Sequence, residues 1–534
     1  MPTKKNHSRT KHPTRNGFAA VGMLALLPLL TGCLPGPKYH QPIALATPPP
    51  PAYKEIHQQA TAEDKATGAA APSPGDLKEW QPAQPSDAML RGKWWEIYNE
   101  PELNELEEKL NIDNQTIKQY FENLMVARAL VREARSEYYP TVSAGPAFTR
   151  SRTSANIGNN NNNNTGNNNS GGGTSSLISL PIDVSWEPDF FGRIRNTVHE
   201  EQYAAQLSAA DLENERLIEQ ASLAAYYFEV RGQDALQKVL NQTVDADRKA
   251  LELTQALYET GVDNQLSVVE AQSTLSSAQA AATNVGLLRA QYQHAIAVLI
   301  GRSASDFTIP VKPMTTAPPP IPVGLPSQLL ERRPDIAASE RNMASANAAI
   351  GVAYSAFYPS VTLSVGGGLE SSSWKHLFDI PSRFWSVGPS ISQPLFNAGL
   401  SAGLSQYVST YNADVAAYRQ TVLTAFQQVE DYLAAVRVYS VQVQQEQQAV
   451  EATQKALDLE LARYQTGLDP YINVVTLQTT LLADQQALTS LQVQQMTSSV
   501  SLIEALGGGW DLSQLPTPRQ LSQKPDPADT KIVQ

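Results

Sequence analysis

A single cysteine, Cys33, stands in a chain of 534 residues, so no internal disulfide and no thiolate metal cluster can form. Histidine is nearly as scarce. Beyond residue 32 there are only His40, His57, His199, His294 and His376, scattered without a partnered motif. Metal-ligand spacings and a glycine-rich phosphate loop are both missing, which leaves no metal, no resident cofactor and no ordinary enzyme chemistry. Met89, Met125, Met314, Met343 and Met496 are dispersed, so no soft-metal relay is visible either. Basic stripes are lacking too: the formal charge is −12, and nucleic acid is not a partner. The acidity serves solubility or, alternatively, an acidic lumen that favours cations.

Long apolar runs are also absent. The uncharged stretch Gly17 to Gly32 is interrupted by Gly22 and Pro28 and falls short of the roughly 20 residues a spanning helix needs. Lys4, Lys5, Arg9, Lys11 and Arg15 precede it, as in an export signal. A cytosolic chain with an apolar start is the plainer alternative. Against it, Leu30-Thr31-Gly32 places small residues directly before Cys33, which resembles a bacterial lipoprotein cleavage site. Cys33 is then the lipid attachment point, and two or more acyl chains at about 0.8 kcal/mol per buried methylene make a permanent anchor. Leu34 follows where an inner-membrane retention signal would resemble Cys-Asp, so outer-membrane sorting is favoured. Removing the signal takes five positive charges and leaves about −17. Residues 1–32 are read as signal and 33–87, rich in Pro, Ala, Gln and Lys, as a leash or a wrapped arm.

What the chain does have is itself, twice. Ala256–Gln272 (ALYETGVDNQLSVVEAQ) and Ala462–Gln478 (ARYQTGLDPYINVVTLQ) are identical at eight of seventeen positions at an offset of 206. The same offset carries Pro188 and Phe190 onto Pro394 and Phe396, and Gly301 onto Gly507. A unit of about 200 residues is therefore duplicated, 88–310 and 311–510, with 511–534 as a tail. Arg193 to Thr260 contains no proline and one glycine, Gly232; Leu400 to Thr466 repeats this with Gly403. Each window suits one helix, and about 67 residues at 1.5 Å rise give roughly 100 Å. Apolar spacings of three and four, as in Ala417, Val422, Ala425, Phe426, Val429 and Leu433, describe packing along its length. Each helix ends at a Thr-Gly-Val/Leu-Asp turn whose glycine suits a left-handed cap, and a return helix of about 39 residues runs to Ile300 or Leu506. Leu103, Leu106, Leu110 and Ile117 begin the folded part, after Trp94, Trp95 and Tyr98.

Thr141–Arg150, Leu177–Trp186, Ser360–Leu369 and Trp385–Pro394 are each about ten residues, the span of a tilted membrane strand. Their alternation is rough, and soluble hairpins fit it as well; two strands before each long helix is the stronger signal. In lipid every unpaired backbone group costs several kcal/mol, so four strands with two open edges must close with copies of themselves. Two copies give a filled barrel of 8 strands, and three give 12 with room for a lumen. The first hairpin also carries thirteen extra residues, largely Asn159 to Asn169 with Gly171 to Gly173, which are too polar to build a core.

Several segments together resemble the TolC/OprM-type outer-membrane factors, in particular the NodT-like efflux lipoproteins. They are Ser185-Trp186-Glu187-Pro188-Asp189-Phe190-Phe191-Gly192-Arg193, Leu329 to Ile336 (LLERRPDI), Tyr358-Pro359, Gln393 to Gly399 (QPLFNAG) and Leu506-Gly507-Gly508-Gly509-Trp510. The resemblance implies an α+β membrane protein: a homotrimeric 12-stranded β-barrel, four strands per subunit, continued by a long periplasmic α-helical barrel. It implies an outer-membrane duct for tripartite efflux, working with a periplasmic adaptor (membrane fusion protein) and an inner-membrane RND, MFS or ABC pump. By the same resemblance Gly261, Val262, Gly467 and Leu468 mark adaptor-contacting helix tips, where plain capping is the alternative. Asp458, six residues before Tyr464, and Glu252, before Tyr258, mark a periplasmic gate; a solvated surface carboxylate is the alternative for both. Like charges about 6 Å apart around a threefold axis would repel by about 0.7–3 kcal/mol per pair.

Two further readings compete: a type I secretion duct, and a periplasmic coiled-coil scaffold or adaptor lipoprotein. An adaptor would hold one helical hairpin between halves of compact β domains, whereas here two hairpins each follow a strand pair. The charged run Glu331 to Asp335 is read as the start of a helix, with Pro334 and Asp335 as its first residues, and not as a catalytic site.

Overall fold

The computed structural model describes residues 36–44, 49, 53–55, 92–152, 154, 174–314, 317–321 and 328–523. Cys33 and the Asn159–Asn169 tract lie outside these residues. The helices are α1 (Pro101–Asp113), α2 (Gln115–Ser136), α3 (Arg193–Glu259), α4 (Gln265–Leu299), α5 (Pro334–Ser355), α6 (Ala398–Gln465) and α7 (Tyr471–Ala505). The strands are β1 (Thr141–Ala144), β2 (Ala147–Arg152), β3 (Thr174–Trp186), β4 (Ser360–Ser371) and β5 (Arg383–Ser392). No helix among the described residues is long and apolar enough to cross a membrane.

The duplication is carried into the elements. α4 and α7 are related by the offset of 206, while α2 and α5 are related by 219, which is 206 plus the thirteen inserted residues. α3 and α6 are 67 and 68 residues long, as the missing prolines require. The return helices are shorter than expected, 35 residues each and not about 39. Their first turn is lost because Asn264 caps one and Pro470 precedes the other.

The strand expectations need correction at their bounds. Thr141–Arg150 is broken into β1 and β2 at Gly145-Pro146, although the register against β3 runs through the gap without a slip. Pro146 has no N–H to give to the ladder, and Pro181 on β3 lacks one as well. β5 also starts two residues earlier than expected and stops before Gln393-Pro394. The order is β1/β2, β3, β4, β5, antiparallel throughout, so β1/β2 and β5 are open edges.

Register sorts the faces better than the sequence does. A β-carbon at Gly366 would lie 2.9 Å from Asp183 Oδ1 and 3.1 Å from Ser386 Oγ, which puts these three positions on one face. Steps of two add Ser179, Thr362 and Ser390 to it. The other face holds Phe148, Ile182, Val184, Val365, Trp385 and Ile391. One apolar and one polar face is the pattern of a sheet between lipid and a wet lumen.

The chain divides into two compact units, one holding the sheet and one holding the turn-bearing parts of the long helices. In the second unit Trp94, Leu103, Leu110, Tyr227, Phe228, Ile296 and Ile503 are buried together. Each buried leucine or isoleucine there contributes about 1.5–3 kcal/mol. The return helices are seated by repeated geometry. Asn114 Nδ2 donates to Leu299 O at 2.9 Å, and the equivalent Arg333 Nη1 donates to Ala505 O at 2.9 Å. Arg333 also pairs with Asp335 at 2.6 Å, which fixes the start of α5. Of the leash-or-arm alternatives, the described residues favour the arm: Tyr53 is buried, and the backbone N–H groups of Lys54 and Glu55 donate to the Glu430 carboxylate at 2.8 and 3.1 Å.

Candidate functional site at the helix turns

Both long helices end in the same cap. Gly261 and Gly467 have φ of 74° and 73°, a conformation that costs glycine least. Val262 N–H reaches back to Leu257 O at 2.9 Å and Leu468 N–H to Arg463 O at 3.0 Å, closing two Schellman turns. Val262 and Leu468 are left 62% and 69% exposed, with Leu266 and Ile472 beside them on the next turn. The two turns are neighbours: a β-carbon on Gly467 would lie 4.0 Å from Val262 Cγ1.

Below the caps the symmetry is broken. Tyr258 and Tyr464 are equivalent by the offset, yet Tyr258 is 46% exposed and Tyr464 is 4% exposed. The Tyr464 hydroxyl donates to Asp263 Oδ2 at 2.6 Å, and the ring lies 5.1 Å from that of Tyr471. Asp263 Oδ1 accepts from Asn264 N–H at 2.7 Å and from Ser267 Oγ at 2.8 Å. Burial alone would raise the Asp263 pKa, but these three donors outweigh it and hold the carboxyl below its ordinary value. Burial, and then the Asp263 acceptor, push the Tyr464 hydroxyl well above the usual tyrosine range. The Tyr464–Asp263 bond therefore ties one helix turn to the other across the whole neutral pH range. The second turn is further closed by an Arg463–Asp469 ion pair.

The expected gate residues lie apart from this tie. Asp458 and Glu252 are both exposed, and Asp458 Oδ1 accepts from Gln454 Nε2 at 2.9 Å. Asp458 lines a cavity of about 520 Å³ between α3, α6 and α7, and Glu252 does not. The carboxylate the cavity does bury is Asp247, which sequence reading missed. It is 2% exposed and neither of its oxygens has a hydrogen-bond partner. Burial pushes its pKa up to about 6. The available signal was its spacing: Asp247 falls three, four and seven residues before buried Ala250, Leu251 and Thr254, on an apolar stripe.

A carboxyl with a raised folded-state pKa stabilises the fold below its unfolded value near 4, and that contribution is lost as pH rises through about 6. Asp247→Asn is therefore expected to be more stable than the parent at pH 7.5, by roughly 1–3 kcal/mol after allowance for water in the cavity. The advantage shrinks toward pH 4.5. Thermal melts followed by helix ellipticity at both pH values check this, and an advantage independent of pH would refute it.

No group of three or more potential metal-ligating His, Cys, Asp or Glu residues exists among the described residues. The arrangement offers exposed apolar knobs on locked helix turns, and a sheet with one lipid-compatible face and two open edges. That combination defines a subunit of a channel through the outer membrane with a large helical part in the periplasm. The sequence profile of the outer membrane efflux protein family matches residues 108–302 and 325–508, and the chain belongs to that family. It is 32% identical over 437 residues, 81% of this chain and 88% of the other, to the antibiotic efflux pump outer membrane protein ArpC of Pseudomonas putida. It is 30% identical over 501 residues, 93% and 99% of the two chains, to the solvent efflux pump outer membrane protein SrpC of the same species. Among solved structures it is similar to the outer-membrane channel OprN, with a TM-score of 0.76 at 26% identity over 90% of this chain and all of that one. The fold class is that of the trimeric outer-membrane channels, and the function is passive transport, not catalysis.

Proposed function

We propose that this chain is the exit duct of a tripartite efflux pump, three copies of which close a 12-stranded barrel and receive cargo from a periplasmic adaptor and an inner-membrane RND, MFS or ABC pump. The observation that carries it is the duplicated hairpin with exposed Val262, Leu266, Leu468 and Ile472 at its turns, a surface suited to an adaptor's own apolar residues. ArpC and SrpC are named for antibiotic and solvent; one fold serving both fits a duct whose cargo is chosen by the pump. Cys33 carries the lipid in this reading, and palmitate labelling that survives Cys33→Ala would overturn that part.

Closure of the periplasmic end rests on the Tyr464–Asp263 tie, with Asp458 and Glu252 as separate, exposed carboxylates that contribute less. A hydrogen bond to a charged acceptor is worth about 1.5–3 kcal/mol. Tyr464→Phe is therefore expected to shift the closed state toward the open one tenfold or more, read as higher single-channel conductance in planar bilayers. Asp458→Asn should have a smaller effect, because Asp458 is exposed. In a strain lacking the gene, the wild-type chain restores drug and solvent tolerance, and Tyr464→Phe restores it with added leakage of large antibiotics. Failure of the wild-type chain to restore any tolerance would sink the efflux reading, and equal conductance of Tyr464→Phe and wild type would sink the tie.

A further inference from the structure

The sheet sorts its charges by sign as well as by face. In an antiparallel ladder, paired residues share a face and the next residue along lies on the other. Among the described strand residues there are two carboxylates, Asp183 and Glu370, and three cations, Arg150, Arg152 and Arg383. Glu370 pairs with Ser179, which puts it with Asp183 on the polar face. Arg150 and Arg152 follow Phe148 by two and four residues, and Arg383 precedes Trp385 by two, so all three arginines lie on the apolar face.

They also lie at one end of it. Arg152 and Arg150 pair with Thr174 and Ser176 at the start of β3, and Arg383 pairs with Leu369 near the end of β4. At the opposite end, where the strands lead into the helices, that face carries Trp186, Val361 and Ile391 and no charge. With the helices in the periplasm, the arginine end is the outward one. All three side chains are exposed, and among the described residues none has a hydrogen-bond or ion-pair partner.

Edge position brings them together. Arg150 and Arg152 are on one edge strand and Arg383 is on the other. Closing the barrel with copies sets β5 of one subunit beside β1/β2 of the next, so each seam gathers three guanidinium groups on its lipid side. A lone arginine facing lipid is tolerated near the interface by reaching for water, but three like charges gathered at one seam call for an anion. Guanidinium groups fit phosphate oxygens in paired hydrogen bonds. Phe378 and Ile380, 75% and 73% exposed in the β4–β5 connection at the same end, add apolar surface for acyl chains.

We propose that Arg150 and Arg152 of one subunit and Arg383 of the next form a seam site for the phosphate groups of the anionic glycolipid of the outer leaflet. The site rests on the closed-barrel reading. It fixes the depth of the channel in the membrane and tightens the seams between subunits.

The test is native mass spectrometry of the detergent-extracted assembly titrated with bisphosphorylated lipid A and with the same lipid stripped of phosphate. Wild type should retain the phosphorylated form on the order of tenfold better. The combined variant Arg150→Gln, Arg152→Gln, Arg383→Gln should lower it to the level of the stripped lipid and leave stripped lipid unchanged, while Lys at the three positions should keep most of the preference. Equal retention of both lipids by wild type, or a glutamine variant that behaves as wild type, would overturn the site. Displacement by millimolar inorganic phosphate would overturn the lipid assignment in favour of a free-anion site. Should the glutamine variant fail to assemble, the wild-type lipid comparison and Arg383→Gln alone decide. Efflux complementation keeps the two readings apart: wild type that binds the lipid but moves no drug refutes the duct and leaves the site standing.

Discussion

Gly507→Ala is expected to abolish the heat-resistant assembly. Gly507 has φ of 92°, and a β-carbon there would sit 2.1 Å from Arg332 O and 2.8 Å from its carbonyl carbon. Neither atom is the end of a flexible side chain, so backbone must move at the end of α7, where Arg333 is already bonded to Ala505 O. Strain of this kind combined with a backbone clash exceeds about 4 kcal/mol. Gly301, equivalent by the offset, meets Asp113 O at 2.5 Å in the same way, and Gly301→Ala should fail similarly. Gly286→Ala is the control, since a β-carbon there meets nothing within 4 Å and helix propensity should add up to about 1 kcal/mol. The loss of the trimer band on heating extracts gives the readout, and an intact band for Gly507→Ala at 37 °C would contradict the argument.

Asp234→Asn should be the most damaging substitution among the ionic side chains. Asp234 is 1% exposed and takes Arg231 Nη1 at 3.2 Å, Arg289 Nε at 2.6 Å and the Lys312 backbone N–H at 2.9 Å. Arg231, itself 3% exposed, also pairs with Glu102, donates to Pro310 O at 2.7 Å and lies 4.7 Å above the Tyr227 ring. Arg289 Nη2 donates to Ile309 O at 2.9 Å. The network thus fastens the connection between the two repeats onto α3 and α4. Removing the central charge leaves half-buried Arg289 with only neutral acceptors and takes one carboxylate from buried Arg231, at a cost of about 3–5 kcal/mol. Adding Arg289→Gln to Asp234→Asn should recover part of the loss; thermal melts of the four chains of this cycle measure it, and strict additivity would refute the network.

Much of this architecture is legible in the amino-acid sequence. Missing prolines fixed the extent of α3 and α6, because a helix interior tolerates glycine far better than proline. The thirteen-residue insertion read from two Tyr-Pro pairs reappears as the shift between α2 and α5. The face pattern of the strands was only rough in sequence, since Pro181 and Gly366 to Gly368 carry no hydropathy signal of their own and Leu177 falls on the polar face. Pairing partners were needed to count by twos from a fixed point. The Tyr464–Asp263 tie spans 201 residues, and nothing local to either residue announces it. Asp247 was passed over in favour of Asp458, the carboxylate with a motif nearby, although burial and not motif decides which carboxyl titrates near neutrality.

Tyr258 and Tyr464 began as copies and now differ: one faces solvent and the other is locked. A ring of three such chains offers six seats of two alternating kinds. A partner with identical subunits that meets all six has to tolerate two different footprints, while one that recognises a single kind takes every second place. Divergence after duplication has in this way left two kinds of surface where a perfect repeat would have left one.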